Sequence, residues 1–153
     1  MSFRYRSDQI IEIVRAEKVF RHGQTELTFT RYGEKGRRFD ADLDLKEGIL
    51  VDLRLHVRGG VVDEPATYEA ALLPAGVRVR GIGYSPTRRR RFHKDYVPKG
   101  WHENRIDPSL SGRDAGRNRH EPLADFAPTD LIDFFRKVCH HWRIQSIPEG
   151  ELL

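Results

Sequence analysis

Two stretches of strict alternation constrain this chain more than any other feature. Phe39, Ala41, Leu43 and Leu45 alternate with Asp40, Asp42 and Asp44. Ile49, Val51, Leu53, Leu55 and Val57 alternate with Leu50, Asp52, Arg54, His56 and Arg58. A period of two with one apolar face means β-strands that are buried on one side and wet on the other. Leu27 and Phe29 alternate with Thr28 and Thr30 in the same way. The connections Gly33-Glu34-Lys35-Gly36 and Lys46-Glu47-Gly48 have the length and glycine content of hairpin turns. Residues 68–73 and 77–84 make a further pair across Pro74-Ala75-Gly76. The pattern predicts an antiparallel meander of about five strands over residues 25–84.

A half-buried sheet needs a cover, and the chain offers two. Residues 7–21 read as a helix capped by Ser7 or Asp8, with Ile10, Ile11, Val14 and Phe20 on one stripe and His22-Gly23 as its stop. Residues 128–143 read as a second helix, with Pro128 at its first position and Asp130 in its first turn. There Leu131, Phe134, Phe135, Val138 and Trp142 fall on one apolar face. The expected class is α+β, with the N- and C-terminal helices packed on the meander. Phe39, Leu43, Val51, Leu53, Leu55, Val79, Phe134, Phe135 and Trp142 are the expected core. Residues 85–122 show no sustained period and read as a long basic loop, and residues 144–153 as a tail.

The chain has 153 residues, which is one domain, 1–153, with enough length for a core that needs no disulfide or metal. Its one cysteine, Cys139, has no partner for an internal disulfide. No apolar run approaches a membrane span, and the N-terminal segment is too charged for a secretory core, so the expected location is cytoplasmic.

The charge is sorted along the chain. Residues 78–119 hold twelve Lys/Arg against four Asp/Glu, a net +8, while the remainder carries −4 of the total +4. Segregation of this kind concerns partners rather than fold. On a strand, Arg78 and Arg80 would share one face and lead into the run Arg88-Arg89-Arg90-Arg91. Guanidinium forks match phosphate oxygens, and aromatic rings such as Tyr84 and Trp101 stack on unpaired bases. The candidate nucleic-acid contacts are Arg78, Arg80, Tyr84, Arg88, Arg89, Arg90, Arg91, Trp101, Arg105, Arg119 and His120. Metal-independent cleavage of RNA needs a base, an acid and a cation. His93 and His102 with Lys94 supply those types, and they are the candidate catalytic residues.

Other constellations carry less. Asp40, Asp42 and Asp44 share a strand face with Asp52 and Glu69 nearby, but cross-strand pairing with Arg54, His56 or Arg58 explains them without Mg²⁺. Cys139-His140-His141 lie in sequence on a helix and point about 100° apart, so they do not converge on one ion. No phosphate-cradling glycine loop or nucleophile elbow occurs. Neither cofactor nor metal is expected.

A strand ending in Arg80-Gly81-Ile82-Gly83-Tyr84, a basic histidine-bearing stretch, and a closing helix entered through Leu123-Ala124-Asp125-Phe126 together resemble the TumE-like toxins of bacterial toxin–antitoxin systems. The resemblance covers under half the chain, and implies a compact toxin with an antitoxin partner. The expected partner is RNA or single-stranded DNA, with an acidic antitoxin or another protein as a second. Two classes of function follow. One is an RNA-directed toxin acting as a metal-independent ribonuclease. The other is a non-catalytic nucleic-acid- or protein-binding factor, such as a phage or mobile-element inhibitor or accessory protein.

Overall fold

A computed structural model describes residues 6–21, 29–32, 36–47, 51–60, 65–76, 78–87, 89–90, 96–106, 118–145 and 147. The alternating segments form strands as their pattern requires. They are β1 (Lys18–Phe20), β2 (Thr30–Tyr32), β3 (Gly36–Leu45), β4 (Leu53–Gly60), β5 (Glu69–Pro74) and β6 (Arg80–Ser85). β7 (Arg89–Arg90) and β8 (Tyr96–Val97) form a separate two-stranded sheet, with Val97 buried. Then come β9 (Gly100–Ile106), β10 (Asn118–Pro122) and β11 (Ile144–Gln145). The helices are α1 (Ser7–Arg15) and α2 (Leu131–His141).

This corrects the five-strand meander. Nine strands form one mixed sheet in the order β10-β9-β6-β5-β4-β3-β1-β11, with β2 also pairing to β3. All pairings are antiparallel except β1 with β11. The expected first helix ends early, at Arg15, and Lys18, Val19 and Phe20 pair with Leu45, Asp44 and Leu43. The expected loop, 85–122, contains four strands, and the expected tail begins with a fifth. The segments His22-Gly23, Leu27-Thr28, 33–35, Ile49-Leu50 and Val77 lie outside the described residues.

One face of the sheet is apolar and carries both helices. Directly paired residues of an antiparallel sheet share a face. Phe39, Val57, Ala70 and Ile82 therefore form one inward row, and Ala41, Leu55 and Leu72 the next. Leu131, Phe134, Phe135, Val138 and Cys139 of α2 are buried on these rows, with Ile13 of α1 in the same cluster. Phe135 sits edge-on to Phe39 at 5.3 Å between centroids and also meets Phe20 and Phe29. All nine expected core residues are buried. Asp130 is the N-cap of α2 rather than a first-turn residue, and its carboxylate accepts from the Asp133 N–H. No helix of the described residues is long and apolar enough to cross a membrane.

Toward β9 the inward face turns polar. Glu103 is 3% exposed yet ionised, because every side of it meets a donor. Arg80 Nη2 lies at 2.6 Å, Trp142 Nε1 at 2.8 Å and His141 Nε2 at 2.9 Å. Arg105 Nε stands at 3.4 Å and also pairs with Glu121. Burial alone would raise the Glu103 pKa. The His141 hydrogen bond and the charge and hydrogen bond of Arg80 outweigh it, and with Trp142 they hold the carboxyl down to about 2.

Two predictions follow from this packing. Phe135→Ala should cost about 3–5 kcal/mol, read from denaturant unfolding, because the ring is buried on all sides. Glu103 titrates near 2 when folded against an ordinary value of 4.5, so its stabilising contribution is complete above pH 4.5 and is lost as the pH falls toward 2. Melting curves taken down that window should show Glu103→Gln losing part of the acid-limb slope, while Glu69 and Asp133, whose pKa values are also lowered, retain theirs.

Candidate functional site

The opposite face of the sheet has no helix on it among the described residues. Its residues are those the alternation turns outward. One cross-strand row runs Asp40, His56, Ala71, Gly81, Asn104 and His120, each paired with the next. The adjacent row runs Arg38, Arg58, Glu69, Gly83, His102 and Pro122. Most of its charges neutralise one another. His56 Nδ1 lies 2.6 Å from Asp40, Arg54 3.6 Å from Asp42, and Arg58 2.7 Å from Glu69. These are the cross-strand pairs expected of the Asp40 and Asp42 face. Asp44 pairs with Arg21.

At the β6–β9–β10 end the two rows enclose a polar cleft of about 280 Å³. His102, Asn104 and His120 form one wall, and Glu69 and Arg78 the other. Gly83 leaves the floor low, since a side chain there would begin 4.0 Å from His102 Nε2. Gly81 is required for a different reason. The Arg78 guanidinium lies across it, and a Cβ would sit 2.1 Å from Nη2. Glu69 holds that guanidinium through Nη1 at 3.1 Å and Arg58 from the other side. Burial would raise the Glu69 pKa, but the Arg58 hydrogen bond and the charges of Arg78 and Arg58 hold it below the usual range.

The two imidazoles lie 5.7 Å apart between centroids. His102 is 6% exposed, and its Nδ1 lies 3.1 Å from the Gly100 carbonyl oxygen. A carbonyl only accepts, so Nδ1 carries the proton, and in the neutral ring Nε2 is then the accepting nitrogen. Gly100 opens β9 at φ +90°, a conformation that suits glycine. Asn104 Oδ1 is buried with no hydrogen-bond partner among the described residues. An orphan acceptor of this kind costs about 1–3 kcal/mol, and it favours a donor brought by a ligand.

The structure sorts the residues singled out in the sequence. Arg78, His102 and His120 come together around the cleft, and Tyr84 borders it while its ring meets Trp101 at 5.3 Å on the inward face. Arg78 and Arg80 do not share a face, because β6 begins only at Arg80. Arg80 turns inward to Glu103, at 6.0 Å from the Trp142 ring, and Arg105 also binds Glu103. Trp101 stacks on Phe134 at 5.4 Å and belongs to the aromatic core. Arg89 and Arg90 form β7, which pairs with β8 outside the main sheet's hydrogen bonding, and Arg119 pairs with Arg105 in register. Arg88, Arg91, His93 and Lys94 lie outside the described residues. Asn104, Gly81 and Gly83 were not singled out as site residues. Reading 101–105 as a strand would have put His102 and Asn104 on one face. No family model, curated protein or solved structure matches this chain.

Gly81→Ala tests the cleft wall. The new Cβ displaces only the far end of a flexible side chain, so the fold should survive, with a loss under about 1 kcal/mol for the half-exposed Arg78–Glu69 pair. Thermal melts of the variant should stay close to wild type, while affinity for a phosphate-bearing ligand falls.

Proposed function

We propose that this protein binds single-stranded RNA on the outer face of its sheet and cleaves it without a metal ion. The observation that carries the reading is the convergence of His102, His120 and Arg78 on one polar cleft. Acid–base cleavage of RNA uses three groups. His102 Nε2, with its lone pair set by the Gly100 carbonyl, takes the proton of the 2′-hydroxyl. The 2′-oxygen attacks phosphorus and the bond to the 5′-oxygen breaks. A protonated His120 donates to that leaving oxygen, giving a 2′,3′-cyclic phosphate and a 5′-hydroxyl. Arg78 neutralises the charge gathered on the phosphorane, and Asn104 Oδ1 accepts from a ligand hydroxyl.

The catalytic pair is thus His102 with His120, in place of His102 with His93, and Arg78 takes the place of Lys94. The basic run 88–91 belongs to the same reading as an electrostatic guide for the chain of phosphates. A growth-arresting toxin is the physiological form this chemistry would take, in line with the TumE-like layout of the C-terminal half.

The test is cleavage of a labelled RNA pool in EDTA. His102→Ala and His120→Ala should each lower turnover by about 10²–10⁴-fold with binding nearly unchanged, and the wild-type rate should follow a bell-shaped curve with pH. Arg78→Ala should weaken binding and reduce its salt dependence by about one phosphate contact. Cleavage that stops in EDTA would overturn the metal-free mechanism. Binding without cleavage by the wild type would assign the face to a non-catalytic factor.

A further inference from the structure

Beside the histidine cleft lies a second pocket on the same face, with a volume of about 360 Å³. Gly36 and Gly60, which pair across β3 and β4, form its floor, and Arg58, Ala66 and Thr67 rise around it. The two pockets share Ala66, Tyr68 and Glu69, so they are neighbours across a single wall. Their chemistry is opposite. The cleft is lined mainly by polar atoms, the second pocket mainly by carbon.

We infer that the glycine-floored pocket is a nucleobase subsite, receiving the base of a nucleotide next to the phosphate held in the cleft. The inference rests on the RNA-binding reading and adds to it the requirement that the strand be unpaired. A nucleotide has the same division of chemistry: a charged, hydroxyl-bearing backbone and a flat, largely apolar base. Paired glycines present bare peptide planes, on which a ring lies without meeting a side chain. Arg58 lines this pocket with its guanidinium held by Glu69 at 2.7 Å, on the side from which it can lie over the face of a base. Thr67 Oγ1 accepts from the Gly60 N–H at 2.9 Å, which ties the turn Pro65–Thr67 to the floor and fixes the pocket width. A base in a duplex is covered by its stacked neighbours and its partner, so only a single strand enters.

The experiment measures fluorescence anisotropy with a labelled single-stranded RNA and a series of the same RNA with one abasic position moved along it. One position should bind about 5–100-fold more weakly when abasic, the range of a single stacked base. Gly60 lines this pocket and not the cleft, so Gly60→Leu fills the pocket and leaves the cleft open. Gly60→Val is the smaller filler should Leu disturb the strand, and a thermal melt of each variant shows that it is folded. Either filler should weaken the intact RNA and leave the RNA abasic at the sensitive position unchanged. Equal affinity for intact and all abasic RNAs overturns the subsite and leaves the binding reading standing. A sensitive position whose effect persists unchanged in both folded fillers overturns this pocket as its location. Failure of the wild type to bind the intact RNA at low salt overturns both.

Discussion

Trp142 holds the architecture at the point where four elements meet. Its carbonyl accepts from Lys18 Nζ at 3.1 Å, and its indole N–H donates to Glu103 at 2.8 Å. The same ammonium reaches the Val14 and Ala16 carbonyls, at 3.1 Å and 2.8 Å. One buried cation therefore closes the C-terminal ends of both helices, where unpaired carbonyls and the negative end of the dipole both favour it. Burial, with the charges of Arg80 and Arg143, pulls the Lys18 pKa down to about 8, so the placement has a cost as well as a benefit. Much of the cost is offset because Lys18 has three carbonyls and Glu103 has Arg80, His141 and Trp142, although Arg80 Nε is buried with no hydrogen-bond partner among the described residues. Removing one member would strand the others, which is why buried ionic clusters behave as units.

The cluster matters for the cleft because, with Trp101 in the aromatic core, it anchors β9. Its inward residues are Trp101, Glu103 and Arg105, and its outward residues include His102 and Asn104. A strand with an apolar face is held in register by burial, and a slip of one residue exposes that face. In β9 the register is set by Trp101 in the aromatic core together with one carboxylate that meets Arg80, His141 and Trp142. A slip would carry Glu103 to the outer face and His102 into the aromatic core. The ion cluster on one side of the strand thus fixes which residues line the cleft on the other, without touching it.

This arrangement also explains what the sequence made legible. Apolar alternation in β3 and β4 and the stripe of α2 are direct readouts of burial, and the nine core residues follow from them. Strands β9 and β10 alternate as strictly, but their inward residues include Glu103, Arg105 and Glu121, so a pattern sought in apolar residues passes over them and leaves a loop. Lys18 misled in the same way, as a charged residue in an amphipathic helix stripe, when its charge is the group that closes the helix and starts the strand. The parallel pairing of Lys18 with Ile144 joins segments far apart in sequence and depends on α2 having first delivered the chain to that edge. Arg78 and Arg80 were placed on one face by assuming the strand began before both. The bend that separates them is tied to Gly81, whose missing side chain lets the Arg78 guanidinium fold back over the backbone.

The outer face adds little to stability by comparison. Its ion pairs are half exposed, and pairs of that kind are worth about 0–1 kcal/mol each. Asn104 is worse than neutral, since its buried amide oxygen lacks a partner among the described residues. A glycine at 83 gives up side-chain packing in the middle of a sheet, and a positive φ at Gly100 gives up the freedom to place any other residue there. The ion pairs, Asn104 and Gly83 would each be improved, for folding alone, by an apolar or branched residue under a second layer of helix. They occur together, on adjacent strands, around two histidines and an arginine. Among the described residues the strongest interactions lie on the inner face of β9 and these losses collect on its outer face, which is the face the proposed binding chemistry uses.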